Sequence, residues 1–421
     1  MTDQPSPSPA TQAIIERHEQ YMSPNYARFP IAMVHGEGVW IEDADGKRYL
    51  DLFAGFGAPL LGHCHPDLVR AVTHQANALW HVGNLLHTEP QTHLAEAIAH
   101  RGFGGKSFFC HSGADANEAA IKLARLYGKA NPGKASGQWG RYKIISCTRS
   151  FHGRSFATMG ATGNPAVREG FEPLLPGYEN VAYDDIGAVR EAVDAETVAV
   201  IVEPIQGEGG IIVPDPDYFR KLRALCDEHD LLLIADEVWT GGGRTGRYFA
   251  HQHWGIEPDV MTLAKGVGGG LAVGVCCIRP ELADLYDARK QGGVKHATTL
   301  GGNCLSMAVA AEIFRVLERD HLVEHAAEMG ELAMTRLRDL AERCPAVREV
   351  RGKGLFIGID VDPDAEGAWF SDARDILSRA LERGLLINAT HGTILRLAPA
   401  LVISPDELSK GLDLLEEVLC G

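Results

Sequence analysis

The sequence predicts an α/β protein in which a mixed, mainly parallel sheet is covered by helices, with a smaller α+β domain attached. Three observations lead there. From about residue 66 helical and strand patterns alternate along the chain, the order that builds a parallel sheet. The strand patterns, among them LysIleIleSerCys (143–147), ValAlaValIleValGlu (198–203) and LeuLeuLeuIleAla (231–235), are continuously apolar, as strands covered on both faces are. After about residue 303 the pattern turns to two long helices and then short strands. No internal repeat is present.

Residues 1–10 are rich in Pro and Ser and read as a disordered tail. Residues 13–22 fit a short helix, and 38–52 fit two strands around the AspGly turn at 45–46. These strands have no sheet of their own, so segment 11–55 is expected to join the smaller domain. In the large domain, 56–303, Pro66 to Leu79 and Pro90 to His100 are helical and SerPhePheCys (107–110) is a short strand. Residues 116–128 form a strong helix ending in glycine. The three apolar strands follow, then ValMetThrLeuAla (260–264) and ValGlyValCysCysIle (273–278). In the smaller domain, 304–421, helices over 304–318 and 322–343 precede strands at 354–361, 385–388 and 394–397. A helix near 405–419 closes the chain.

Of the 421 residues, 45% are hydrophobic and 23% charged, enough apolar material for a substantial core. Lys plus Arg number 40 against 56 Asp plus Glu, a net charge of −16. That sign argues against nucleic acid and anionic membranes as partners, while leaving room for a locally basic pocket. The first residues have neither a basic nor an apolar leader region, and no uncharged apolar run reaches transmembrane length. The nine cysteines are scattered without a CxxC pair, several inside apolar runs, and read as reduced. A cytoplasmic protein is expected.

Lys265 ends the apolar run 260–264 and precedes a glycine run. A lysine so placed loses solvation, which favours the neutral amine that condenses with a carbonyl. Asp236 follows another apolar strand, at the sheet edge where ligands collect. There it could pair with the ring nitrogen of a pyridine cofactor or cap the next turn. HisSerGlyAlaAspAlaAsn (111–117) opens the strong helix and suits either a phosphate on its free N–H groups or an ordinary cap. In SerPheHisGlyArgSer (150–155), Phe151 could stack on a flat ring and Arg154 could clamp a carboxylate. Glu208, among glycines in GluProIleGlnGlyGluGlyGly (203–210), could pair with a pocket arginine. HisCysHis (63–65) lacks further ligands at suitable spacing, so no metal is expected. Taken singly, each stretch also fits a plain structural role.

Together, in this order, they resemble the class III, fold type I pyridoxal-phosphate aminotransferases from about Tyr26 to Leu419. SerGlyAlaAspAlaAsnGluAla, PheHisGlyArg, GluProIleGlnGlyGluGlyGly, AspGluValTrpThrGly, AlaLysGlyValGlyGlyGly and ThrThrLeuGlyGlyAsn are similar to motifs of that family. Within it the likeness is greatest to the acetylornithine group, on AsnTyrAlaArgPhePro (25–30), the stretch from Cys110 to Arg125, and GlyLeuLeuIleAsnAlaThr followed by IleLeuArgLeuAlaProAla.

The resemblance implies a cofactor, pyridoxal 5′-phosphate, and a set of roles. Lys265 is similar to the lysine that condenses with the cofactor, and Asp236 to the partner of its ring nitrogen. Phe151 and Val238 would sandwich the ring, with Trp239 beside it. Ser112, Gly113 and Ala114 would hold the phosphate, and Thr299 would reach a phosphate across the interface of a homodimer. Arg154 would clamp the carboxylate of the amino donor, near Thr298 and Tyr26. Arg396 would hold the α-carboxylate of glutamate, and Glu208 would neutralise Arg396 when the other substrate is bound. The implied reaction moves the δ-amine of N2-acetyl-L-ornithine to 2-oxoglutarate. Ornithine, succinylornithine and 4-aminobutyrate are the rival donors, and an aminomutase the rival reaction. Departures from the family pattern include Trp239 where relatives often have Gln, Asp115 where Glu is common, and Pro59, Phe56 and Ala400.

Overall fold

The structure, a computed structural model, describes residues 8–420. Its centre is a seven-stranded sheet whose strands, in chain order, are β1 (Lys106–Cys110), β2 (Lys143–Cys147), β3 (Tyr178–Val181), β4 (Thr197–Val202), β5 (Leu232–Asp236), β6 (Val260–Leu263) and β7 (Gly274–Ile278). They lie in the order β1-β7-β6-β5-β4-β2-β3. Only β7 runs against its neighbours, pairing antiparallel with β1 and β6. Every residue of β4, β5, β6 and β7 is buried, which accounts for their unbroken apolar runs. β3, TyrGluAsnVal at the sheet edge, has a polar, half-exposed pattern and no apolar run to announce it.

The helix Gly113–Ala130 packs on β1, β6 and β7, and Tyr218–Glu228 covers the opposite face with its apolar stripe of Phe219, Leu222 and Leu225. Because the strands are mainly parallel, the segments after β1, β2, β4, β5 and β6 all emerge at one edge. Those segments hold Ser112, Phe151, Glu208 and Lys265, and Asp236 is the last residue of β5 at the same edge. That edge is where open α/β sheets bind ligands.

Two smaller sheets flank this core. Strands Met33–Glu37, Trp40–Asp43 and Arg48–Asp51 pair with Leu385–Leu386, Leu50 lying against Leu385 in parallel register. The second sheet orders Val347–Lys353, Phe356–Val361, Ile394–Leu397 and Asn388–Thr390, with Arg396 opposite both Gly358 and Asn388. Val347–Lys353 is a charged edge strand, and its polar alternation left no apolar signal. Helices Cys304–Arg319, Leu322–Arg343 and Pro405–Cys420 supply the apolar faces that close the largest core cluster.

The first helix runs Pro9–Tyr21, capped by the Ser8 hydroxyl. It therefore begins inside the stretch expected to be a tail, whose residues 1–7 lie outside the described ones. Cys344 and Cys420 are disulfide-bonded, joining the ends of two helices, so the expectation of nine reduced cysteines is corrected for this pair. The other seven are free, and all but Cys64 are buried. His63 bonds Asp51 at 2.9 Å, and His65 Nδ1 accepts the Asp67 N–H at the start of helix Pro66–Ala78. Among the described residues no helix is long and apolar enough to cross a membrane.

Candidate active site

A cavity of about 400 Å³ opens at the shared strand edge. Lys265, Asp236, Val238, Trp239, Phe151, Arg154, Glu208, Ser112, Gly113 and Ala114 all line it.

Lys265 begins a short 3₁₀ turn directly after β6, with φ of 44°, a left-handed conformation unusual for a side-chain-bearing residue. Its Nζ stands 4.1 Å from the centre of the Trp239 ring. Burial pushes this amine below the usual lysine range, against the opposing pull of Glu208, Asp236 and Glu203. The depressed value enlarges the share of neutral, nucleophilic amine.

Asp236 closes β5 and is buried. Its Oδ2 receives Asn117 Nδ2 and lies against His152 Nδ1, both at 2.7 Å, while Oδ1 accepts the Val238 N–H at 3.0 Å. Asn117 is itself fixed by Thr262, whose hydroxyl donates to its Oδ1 at 2.7 Å. Glu203 accepts the N–H groups of Phe151 (2.9 Å) and Gly207 (3.0 Å) and so holds two cavity loops together.

The helix Gly113–Ala130 points its N-terminus into the cavity. Ser112 Oγ accepts the Asp115 N–H at 3.2 Å, and the N–H groups of Gly113 and Ala114 have no acceptor within their own helix. Glycine is required at 113, since a Cβ there would stand 2.8 Å from Val238 Cγ1.

Glu208 lines the cavity, and its Oε1 pairs with Arg396 Nη1 at 3.0 Å. The guanidinium is buried, with Nε bound to Asn388 Oδ1 at 3.0 Å. Phe53, Phe56 and Trp239 surround it, with ring centres 5.7, 5.8 and 4.9 Å away. Burial pushes Arg396 below its ordinary value, and Glu208 opposes that shift. Arg154 is exposed at the cavity, 5.7 Å from the Phe151 ring centre.

Besides Arg396, which reaches the cavity only through Glu208, three candidates stand outside the cavity lining. Thr298 lies 3.4 Å from His111 Nδ1 through its hydroxyl. Thr299 is exposed on the same loop. Tyr26 is 74% exposed, with Arg28 over its ring. Conversely, His152, Asn117, Glu203 and Asn388 serve the site without having been singled out. All four lie within the quoted motifs, and nothing in their spacing reveals that His152 and Asn117 meet on one oxygen of Asp236 or that Asn388 holds Arg396.

The donor set fits a flat, phosphorylated pyridine aldehyde. It offers an amine for the aldehyde, a buried carboxylate for the ring nitrogen, free helix N–H groups for the phosphate, and Phe151 and Val238 for the ring faces. The chain is a fold type I aminotransferase dependent on pyridoxal 5′-phosphate. It belongs to the class-III aminotransferases, whose family model matches residues 21–419. It is 43% identical to the acetylornithine aminotransferase of Caldanaerobacter subterraneus subsp. tengcongensis, covering 96% of this chain and 99% of that protein. Among solved structures it resembles the ornithine aminotransferase of Toxoplasma gondii, with a TM-score of 0.89 and 31% identity over 97% of this chain and 94% of that one. The acetylornithine aminotransferase of Elizabethkingia anophelis is similar at a TM-score of 0.84, with 31% identity over 97% and 99% of the two chains.

Proposed function

We propose that the chain transfers the terminal amine of N2-acetyl-L-ornithine to 2-oxoglutarate, yielding N-acetyl-L-glutamate 5-semialdehyde and L-glutamate, a step of arginine biosynthesis. The observation that carries this reading is the buried Arg396 paired with Glu208, which lines the same cavity as Lys265. A site that must accept both a dicarboxylate and a monocarboxylate needs one cation whose partner can be exchanged. The likeness to acetylornithine aminotransferases over nearly the whole chain supports the choice of donor.

Bound, the cofactor supplies an aldehyde that takes up the amine and a ring that draws electrons from the reacting carbon. Asp236 holds the proton on the ring nitrogen. Lys265 Nζ, once free, carries the proton from the substrate carbon that bears the amine. Arg154 takes a substrate carboxylate at the cavity mouth, and Glu208 releases Arg396 to the second carboxylate of glutamate.

A homodimer belongs to the same reading. Leu85 and Leu86 are 96% and 62% exposed and Leu300 is 58% exposed. Asn84 ties their two loops together through Thr298 O (3.2 Å) and Gly301 O (2.9 Å). An apolar patch of this kind suits a second copy, and Thr299 within it would reach the partner's cofactor phosphate. Sedimentation is expected to give a dimer at assay concentration, and a fully active monomer would remove this role for Thr299.

The donor is tested by glutamate formation from 2-oxoglutarate with acetylornithine, ornithine, succinylornithine and 4-aminobutyrate. Acetylornithine is expected to give the highest kcat/KM. Preference for another donor overturns the assignment, and turnover without a keto acid points to an aminomutase.

A further inference from the structure

A second cavity, of about 440 Å³, shares no lining residue with the catalytic one. Lys122, Arg125 and Lys129 form one wall, at helical spacing along one face of Gly113–Ala130. After that helix the chain adds Trp139 and Tyr142 to the lining, and Lys295 completes it. The lining thus holds four cations and no carboxylate. Lys122 Nζ has a histidine ring nitrogen, His296 Nδ1, at 3.4 Å, and Arg125 Nη2 donates to the Pro176 carbonyl at 3.0 Å. Arg125 Nε is buried with no partner, and Lys129 and Lys295 are exposed.

Four cations around one cavity, none of them in a salt bridge among the described residues, are out of keeping with a chain of net charge −16. Their mutual repulsion is relieved by an anion, and more by one of several charges. The aromatic part of the lining narrows the ligand further. Trp139 is 57% exposed, and its ring centre lies 6.4 Å from that of Tyr142. An indole left open beside a cationic wall offers a flat face for stacking a ring whose charged groups reach the cations. A nucleic acid strand is disfavoured, because the protein's overall charge repels a long polyanion.

The geometry points to a second ligand site, for a flat-ringed compound carrying at least two phosphate groups, the chemistry of a nucleoside diphosphate. Its phosphates lie among Lys122, Arg125, Lys129 and Lys295, and its ring lies on Trp139.

Calorimetric titration of the cofactor-loaded protein at low ionic strength tests this, with adenosine 5′-diphosphate, pyrophosphate and adenosine as separate probes. One nucleotide is expected to bind per chain, pyrophosphate more weakly, and adenosine not at all. Lys129→Glu combined with Lys295→Glu is expected to weaken both anions at least about tenfold, the effect of losing charge-assisted bonds. Trp139→Ala is expected to weaken the nucleotide and spare pyrophosphate. Aminotransferase turnover in both variants reports an intact fold, since none of these residues lines the catalytic cavity. The site is overturned by the absence of saturable nucleotide binding at about millimolar concentration, or by affinities that the substitutions leave unchanged. Pyrophosphate binding as tightly as the nucleotide overturns the assignment of a ringed ligand.

Discussion

His152 Nδ1 lies 2.7 Å from Asp236 Oδ2, and both side chains are buried. With Asn117 on the same oxygen and the Val238 N–H on the other, three protein groups compensate the carboxylate for its removal from water. Oδ1 keeps the capacity for one more donor, on a residue that lines the catalytic cavity.

Asp236→Asn keeps the shape of the side chain and removes its charge. The ring proton then loses its ionic partner, and electrons from the reacting carbon are drawn off less strongly. The fold should survive, and kcat should fall on the order of 10²–10³, as when one preorganised electrostatic group is lost. Near-normal kcat with an unchanged circular dichroism spectrum would reduce Asp236 to a structural cap.

Lys265 is the lysine whose amine burial depresses within the cavity. Borohydride reduction of the cofactor-loaded protein should fix the cofactor on Lys265, as read by peptide mapping. Lys265→Ala should bind cofactor without being trapped this way and should lose turnover. An adduct found on another lysine would sink the central assignment.

Glu203 gives a pH signature. Burial, joined by the charge of Asp236, pushes its carboxyl from 4.5 up to about 7, against His152 and the N–H groups of Phe151 and Gly207. The folded state then holds this proton more tightly than the unfolded chain does. The contribution to stability is full below about pH 4.5 and is lost as pH rises towards 7. Relative to Glu203→Gln, the cofactor-free protein should lose on the order of 1–3 kcal/mol across that window. Urea unfolding at several pH values measures the difference, and a difference independent of pH refutes the shift.

What the sequence revealed follows from how each feature is encoded. Lys265 and Asp236 stand out because they end apolar runs, and the helix Leu322–Arg343 because its apolar stripe repeats at helical period. β3 and Val347–Lys353 carry charges at edges, so their period is masked. Arg396 was named only through the family likeness. A single arginine in a short strand carries no sign of the glutamate and asparagine that hold it. His152 and Asn117 meet Asp236 only because the segments after β1, β2 and β5 emerge at one sheet edge. The Cys344–Cys420 bond joins two helix ends distant in sequence, which composition does not reveal.

The Glu208–Arg396 pair yields the prediction that separates the two substrates. Glutamate brings two carboxylates and acetylornithine one. Arg154, exposed at the cavity, can serve a carboxylate of either. Arg396 is buried among Phe53, Phe56 and Trp239, where a lone charge is costly. On the proposed function, Glu208 is expected to occupy it during the acetylornithine half-reaction and to give way to the glutamate α-carboxylate in the other. Single-turnover kinetics of each half-reaction distinguish this exchange from a Glu208 that only shapes its glycine-rich turn. Glu208→Gln should slow the acetylornithine half about tenfold and spare or speed the glutamate half, the scale of one charged hydrogen bond. Arg396→Ala should strike the glutamate half hardest, by about ten- to a hundredfold. Arg154→Ala should damage both halves. Equal losses in both halves for Glu208→Gln and for Arg396→Ala would refute the exchange and leave Arg154 as the only carboxylate site.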